Sequence, residues 1–519
     1  MKNTRTDLLR ILQIAFKKAL EKNKPSDQFE KTDPSRRKFI TRSAMAIAAL
    51  AANNAFGGSK YTDRFAAAEQ PFKVGILGAG VAGLHAAYIL QNKNIETTIY
   101  EASGRTGGRM FTAKNMLGKG ITTELGGEFV DSNHEDILNL AKEFNLELVD
   151  TELDKDLVKQ IFYFEGKQYT ADDLVKALEP FAASIKADID SLPESISYRS
   201  FGNAEKFDKM SIAAYLKSKG VTGWLGKMLN VAFVTEYGLE TDEQSAINFL
   251  WLFDPENAGT DLFGESDERY KIKGGNQRIV DELAKRLSNI KTNHTVTKIK
   301  SRGDGFTVTF SNDKVADFDY LICSIPFSVL RNITLEIDDM PAVKKKIIAE
   351  LGYGQNAKMF AGFKSRYWRK TGASGQIFSD MPLQLGWDSS QLQKGKAGGY
   401  TFYTGGRMSD KMIDAAVPEK TKEYLSILEK IFPGAERNYN GKNGIFFWPK
   451  HVHTLGSYAC YKPGQWTTIA GAEIEPVGNL LFAGEHCSAD FQGYMNGGAE
   501  TGRMAAEQLQ EMLKNKIKM

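Results

Sequence analysis

The stretch Phe72–Leu90, FKVGILGAGVAGLHAAYIL, constrains the fold more than any other part of the chain. Phe72 to Leu77 reads as a short apolar strand, Gly78, Gly80 and Gly83 as a tight turn, and Leu84 to Leu90 as the helix behind it. A G-x-G-x-x-G turn between strand and helix lets backbone N–H groups, those of Val81 and Ala82 included, approach a pyrophosphate at the positive end of the helix. The next apolar segment, IETTIYEAS, carries Glu101 followed by Ala102, eighteen residues past Gly83. A carboxylate at that distance accepts the ribose hydroxyls of an adenine nucleotide. Strand, turn, helix and acid together predict a Rossmann-like domain of the α/β class.

The chain has 519 residues, 42% hydrophobic and 25% charged, which is a globular composition long enough for two or more domains. A net charge of +3 gives no case for a nucleic-acid partner. Cys323, Cys460 and Cys487 are too few and too scattered for a disulfide framework or a metal site, so no metal is expected.

The first seventy residues read as standing apart from the fold. Arg36 and Arg37 are followed by Phe39, an alanine-rich stretch from Ser43 to Ala52, and Ala66–Ala68 before Glu69. This resembles a twin-arginine export signal with a small-residue cleavage site, and implies the bacterial export machinery as a partner and a periplasmic or secreted destination. Upstream of it, Leu8, Leu9, Ile11, Leu12 and Phe16 have helical spacing, with no role assigned by sequence.

A second glycine cluster, GRTGGRM (Gly104–Met110), places Arg105, Gly108 and Arg109 after the acidic strand. With it the sequence resembles the flavin-containing amine oxidases: monoamine and polyamine oxidases, L-amino-acid oxidases and tryptophan 2-monooxygenase. The resemblance continues through TELGGEFVD (Thr123–Asp131), where that family runs its chain beneath the flavin; Gly126, Gly127 and Glu128 fall there. It implies FAD as cofactor and a discontinuous FAD-binding domain (72–130, 267–336 and 446–519) interleaved with an α+β substrate-binding domain (131–266 and 337–445) that carries a helical insertion. Residues 1–68 make up the signal and extension. It also places Val296 against adenine through its backbone.

Near the C-terminus, Gly484-Glu485 follows a buried strand and matches the pair that meets the ribityl and phosphate part of FAD. FQGYMNGG (Phe491–Gly498) leads into a helix starting near Asn496. A helix N-terminus aimed at the flavin, beside Tyr494 and Met495, stabilises negative charge on the reduced ring. The glycines there read as room for the isoalloxazine. Tyr458 and Tyr494 match the two walls of the family's aromatic cage, which orients a neutral amine. Ser457 stands where covalent relatives hold a cysteine, so the FAD is expected to be non-covalent. Lys358, ten residues before Trp368, matches the lysine that holds a water near flavin N5. On the substrate side Phe129 and Glu236 are candidates, and Asp242 reads as a surface acid. Snake-venom-type amino-acid oxidases carry an arginine just after the glycine pair, whereas this chain has Glu128, Phe129 and Val130.

The activity implied is FAD-dependent oxidation of an amine to an imine, hydrolysed to carbonyl and ammonia, with oxygen reduced to hydrogen peroxide. An L-amino-acid oxidase for basic or aromatic amino acids, or a tryptophan 2-monooxygenase-like enzyme, shares every cofactor motif. A carotenoid-desaturase-like enzyme shares only the front motifs. A flavin-bearing binding protein without turnover is the reading from another class. The expected partners are a small amine or amino acid, molecular oxygen, the export machinery and a second copy of the chain.

Overall fold

The computed structural model describes residues 7–22, 72–155, 157–253 and 267–517. Arg36, Arg37 and Ala66–Ala68 lie outside them.

Val74–Leu77 is buried on both faces, as a central parallel strand requires. Ile76 sits opposite Ile99 on one side and Ile322 on the other. The sheet has five strands, in the order Leu480–Phe482, Tyr320–Cys323, Val74–Leu77, Thr97–Tyr100, Ile290–Lys291, every neighbouring pair parallel. Its strands come from three distant parts of the chain, 74–100, 290–323 and 480–482. The helix Val81–Gln91 follows the glycine turn, and the last helix, Met495–Ile517, packs along it. Small residues set that approach: a Cβ on Gly502 would lie 2.3 Å from the Ala82 carbonyl oxygen.

A second sheet has seven strands, ordered Tyr439–Phe447, Asn356–Phe363, Gly398–Gly405, Leu385–Asp388, Ala373–Ser379, Val158–Phe164, Lys167–Tyr169. The last two belong to a region whose sequence reads as mostly helical. Phe162 and Phe164 are buried there on alternate positions, so a two-residue period lay inside a stretch dominated by helical patterns. The long helices Ala171–Asp190 and Gly223–Tyr237 supply the helical part. A four-stranded sheet built on Val296–Arg302 and Gly305–Phe310 flanks the nucleotide domain.

The N-terminal region departs from expectation. Asp7–Lys22 forms a helix lying along Ala171–Asp190. Leu8, Leu12, Phe16 and Ala19 are fully buried, and the Phe16 ring is 4.7 Å from Phe253. Gln13 Nε2 donates to the Leu252 carbonyl, and Lys22 pairs with Glu179 at 2.7 Å. The helical spacing in the sequence was the spacing of a core face.

Candidate active site

A continuous cavity runs from the glycine turn to the two tyrosines. At its far end Gly78 has φ +104°, and a Cβ there would lie 2.5 Å from Ser324 Oγ. A Cβ on Gly80 would point into open space, which leaves room for a diphosphate against the helix N-terminus. Gly83 is not on the cavity wall: a Cβ there would stand 2.1 Å from the Gly78 carbonyl, so this glycine closes the turn rather than touching a ligand. Glu101 accepts from Ala79 N at 2.8 Å and from Ser103 N and Oγ. A carboxylate has about four lone-pair sites, so one remains for a ribose hydroxyl. Val81, Ala82, Ala102, Arg105, Gly108 and Val296 line the same end. The Arg105 guanidinium lies 4.0 Å over the Phe111 ring and donates to the Thr106 and Gly108 carbonyls.

Midway, Glu485 gathers three chain segments. It accepts hydrogen bonds from Arg109 Nη1 at 2.8 Å, Ala459 N and Gly493 N; Arg109 also donates to the Ser457 carbonyl. Gly126 has no room for a side chain, since a Cβ would fall 1.8 Å from the Arg109 carbonyl oxygen. A Cβ on Gly127 would meet Met495 Cγ at 2.7 Å. The glycines after Met495 have a different reason from the one read in sequence. Gly497 is bare because Phe491 O would be 2.1 Å from its Cβ, and Gly498 because Val81 Cγ1 would be 2.7 Å away. At Gly497 protein backbone alone forbids a side chain, and at Gly498 a side chain of the glycine-turn helix does. Gly484, Tyr494, Met495 and Gly498 still face the cavity.

Beyond lies a charged cluster. Lys358 sits on the fully buried strand Asn356–Phe363 and donates to Glu124 O (3.2 Å), Gly126 O (2.9 Å) and Glu128 Oε2 (2.9 Å). Those are the three protons of an ammonium, so holding a water would mean giving one of them up. Glu128 takes two further donors at 2.9 Å, Lys271 Nζ and Trp387 Nε1. Burial alone would raise its pKa, but the two ammoniums outweigh burial and hold it down to about 2. Glu124, equally buried, has no such pair; burial pushes it up to about 7, against hydrogen bonds from Asn276 N and Thr112 Oγ1.

The substrate end is aromatic and apolar: Phe129, Ile377, Phe378, Leu385, Trp387 and Tyr403 line it with Tyr458 and Tyr494. Tyr458 donates to Thr235 O at 3.1 Å, and so accepts from Tyr403 at 2.7 Å. The Tyr494 ring stands edge-on to His134, centroids 4.9 Å apart. Glu236 is not on this wall. It is fully buried in the helix Gly223–Tyr237, and from that helix it is the neighbouring Thr235 carbonyl that accepts from Tyr458. Asp242 is 58% exposed beside Arg407, as a surface acid should be. Sequence reasoning missed Trp387, Tyr403 and Lys271. It also missed His451, whose Nδ1 is buried without a hydrogen-bond partner on the cavity wall.

Open Gly80, Glu101 at the strand end with Arg105 near it, Arg109 midway and a helix N-terminus at Met495 form a cradle that fits FAD. A family model described as flavin containing amine oxidoreductase matches residues 81–510. The chain belongs to that family. Its cofactor is FAD and its reaction the oxidation of an amine. A flavin-containing amine oxidase of Oncorhynchus mykiss is 26% identical over 463 residues, spanning 85% of this chain and 86% of that protein. Flavin-containing amine oxidase B of Cavia porcellus is 25% identical over 469 residues, 84% and 85% of the two chains. Among solved structures, cyclohexylamine oxidase from Brevibacterium oxydans matches with TM-score 0.76 at 20% identity, covering 85% of this chain and 99% of that one. A putrescine oxidase bound to putrescine matches with TM-score 0.74 at 19% identity, with the same coverage. Family membership fixes the kind of fold, a Rossmann-like FAD-binding domain with an α+β substrate-binding domain.

Proposed function

We propose that this amine oxidase acts on amines with an apolar body rather than on α-amino acids, with oxygen as electron acceptor and hydrogen peroxide as product. One observation carries the choice. Among the described residues, Lys358 is the cation at the substrate end, and its three protons are committed to Glu124 O, Gly126 O and Glu128. A substrate carboxylate would enter an aromatic wall whose cation has no proton left to give it, at a cost of several kcal/mol, roughly that of a buried charge without an ion-pair partner. The neutral amine of an apolar substrate meets no such penalty.

Bound FAD supplies a hydride acceptor. Tyr458 is fixed by Thr235 and Tyr403, and Tyr494 by packing on His134; the two rings would hold the amine between them and orient it for hydride loss. The N-terminus of the helix Met495–Ile517 and Lys358 favour the negative charge that reduction brings. Ser457, whose Oγ donates to Asn356 Oδ1 at 2.6 Å, offers no thioether link, which supports non-covalent FAD. Arg36, Arg37 and the alanine run support export through the twin-arginine route to the periplasm or beyond, and a homodimer completes the proposal.

Anaerobic mixing with cyclohexylamine or a phenylalkylamine should bleach the flavin at least about 100-fold faster than the matching amino acid, a difference of about 2.7 kcal/mol. Equal or reversed rates would refute the assignment.

A further inference from the structure

A lysine paired with a carboxylate is a poor source of positive charge. Lys358 is paired in this way with Glu128, 2.9 Å away on the cavity wall. Yet Glu128 has a second ammonium on its other oxygen, Lys271 at 2.9 Å. Lys271 belongs to the strand Tyr270–Ile272 and does not face the cavity; its side chain is 12% exposed and its Nζ lies 4.5 Å over the Phe129 ring. Trp387 Nε1 adds a neutral donor. The cluster therefore holds two ammoniums and one carboxylate at pH below about 7, where the buried Glu124 carboxyl beside it keeps its proton and adds no charge.

We propose that Lys271 is a positioning residue of the redox centre: it offsets Glu128 and thereby leaves the wall carrying Lys358 with one net positive charge. The proposal deepens the reading above and rests on Lys358 facing the flavin. Two separate things follow from the geometry. Glu128 fixes where the Lys358 ammonium sits, because it supplies the one side-chain acceptor among its three. Lys271 decides the sign of the sum, because without it the pair would be neutral. Low local polarity strengthens the effect: Glu128 and Lys358 are each under 10% exposed. Lys271 is also tied to the fold independently of Glu128, since its strand pairs with Leu148–Asp150. Loss of its charge thus need not move its backbone.

The test is the midpoint potential of the bound flavin in holoenzyme. Net positive charge favours the reduced, more negative ring. Lys271→Met should lower the equilibrium constant for two-electron reduction at least tenfold, about 30 mV. Glu128→Gln should raise it by a similar factor, and Lys271→Arg should stay within threefold of the parent. Opposite signs for Lys271→Met and Glu128→Gln are the signature of charge. If both fall together, or neither moves, the cluster is only a brace and the proposal is overturned. Should Lys271→Met fail to retain FAD, Glu128→Gln decides alone: a rise supports the proposal, and a fall or no change overturns it. Lys358→Met separates the two levels. If its potential equals the parent's, the placement of Lys358 at the flavin is wrong and the proposal falls with it; if it drops while the other two move in parallel, only the role of Lys271 is wrong.

Discussion

At the cofactor end of the cavity the backbone sets the geometry, whereas at the substrate end side chains of the seven-stranded sheet do. Gly78, Gly83, Gly126 and Gly127 each exclude a Cβ by less than 3 Å. Polar groups there bond to the chain itself, as Glu485 does with Arg109, Ala459 and Gly493. The substrate wall has few such fixed points. Phe378, Trp387 and Tyr403 come from separate strands, Phe129, Tyr458 and Tyr494 from the segments between elements, and the polar contacts are mainly hydroxyl and indole bonds, Tyr403 to Tyr458 and Trp387 to Glu128. The contrast teaches that one end tolerates almost no change in shape, while the other can be resurfaced without losing the cofactor.

The sharpest way to break the contrast is Gly126→Ala. Its methyl would lie 1.8 Å from the Arg109 carbonyl oxygen, backbone against backbone, so neither side can yield by a rotamer change. We expect no FAD-loaded protein, read as loss of flavin absorbance in the purified chain. A yellow, soluble variant with parental activity would show that the cofactor end is as forgiving as the other.

Next in size is a pH effect in the charged cluster around Lys358, between the two ends. Glu124 is raised from the ordinary range to about 7 by burial. The folded protein therefore holds a proton that the unfolded chain has released once pH passes about 4.5, so this group's contribution to stability falls as pH rises from about 4.5 to 7 and stays low above. Glu124→Gln should remove a slope of about 1.4 kcal/mol per pH unit in that window. Thermal unfolding across pH 4.5 to 8 checks it; parallel curves for parent and variant would reject the assignment.

The smallest effect belongs to the substrate wall. Tyr403→Phe deletes one hydroxyl hydrogen bond to Tyr458, a loss of about 1 kcal/mol. We expect KM or kcat to change less than about tenfold, with FAD affinity unchanged in a fluorescence titration. A variant that releases FAD would show that the two ends are mechanically one.

The contrast also explains what could be read from the chain alone. Gly78, Gly80, Glu101, Gly126 and Gly484 were legible because backbone demands leave glycines at fixed spacing. Tyr458, Tyr494 and Lys358 were legible only through resemblance, and in the structure all three line one cavity. Trp387, Tyr403 and Lys271 carried no signal. Lys271 is 143 residues from its partner Glu128, and no local pattern marks a pair formed between two distant segments of the chain. Glu236 misled because an acid amid hydrophobic residues reads as a pocket group, whereas here it is part of a buried helix face. Leu8, Leu12 and Phe16 had a clear helical period whose meaning was hidden by the arginine pair downstream.

That N-terminal helix bears on what maturation can mean for this protein. Leu8, Leu12, Phe16 and Ala19 have no exposed surface, and each large side chain of this kind contributes about 1.5–3 kcal/mol by staying buried. A peptidase cutting after Ala68 would sever the covalent link without undoing that contact. The product would be a nicked, two-chain enzyme whose short chain stays seated on the long one, and shedding it would need a competitor for the apolar face of the helix Ala171–Asp190.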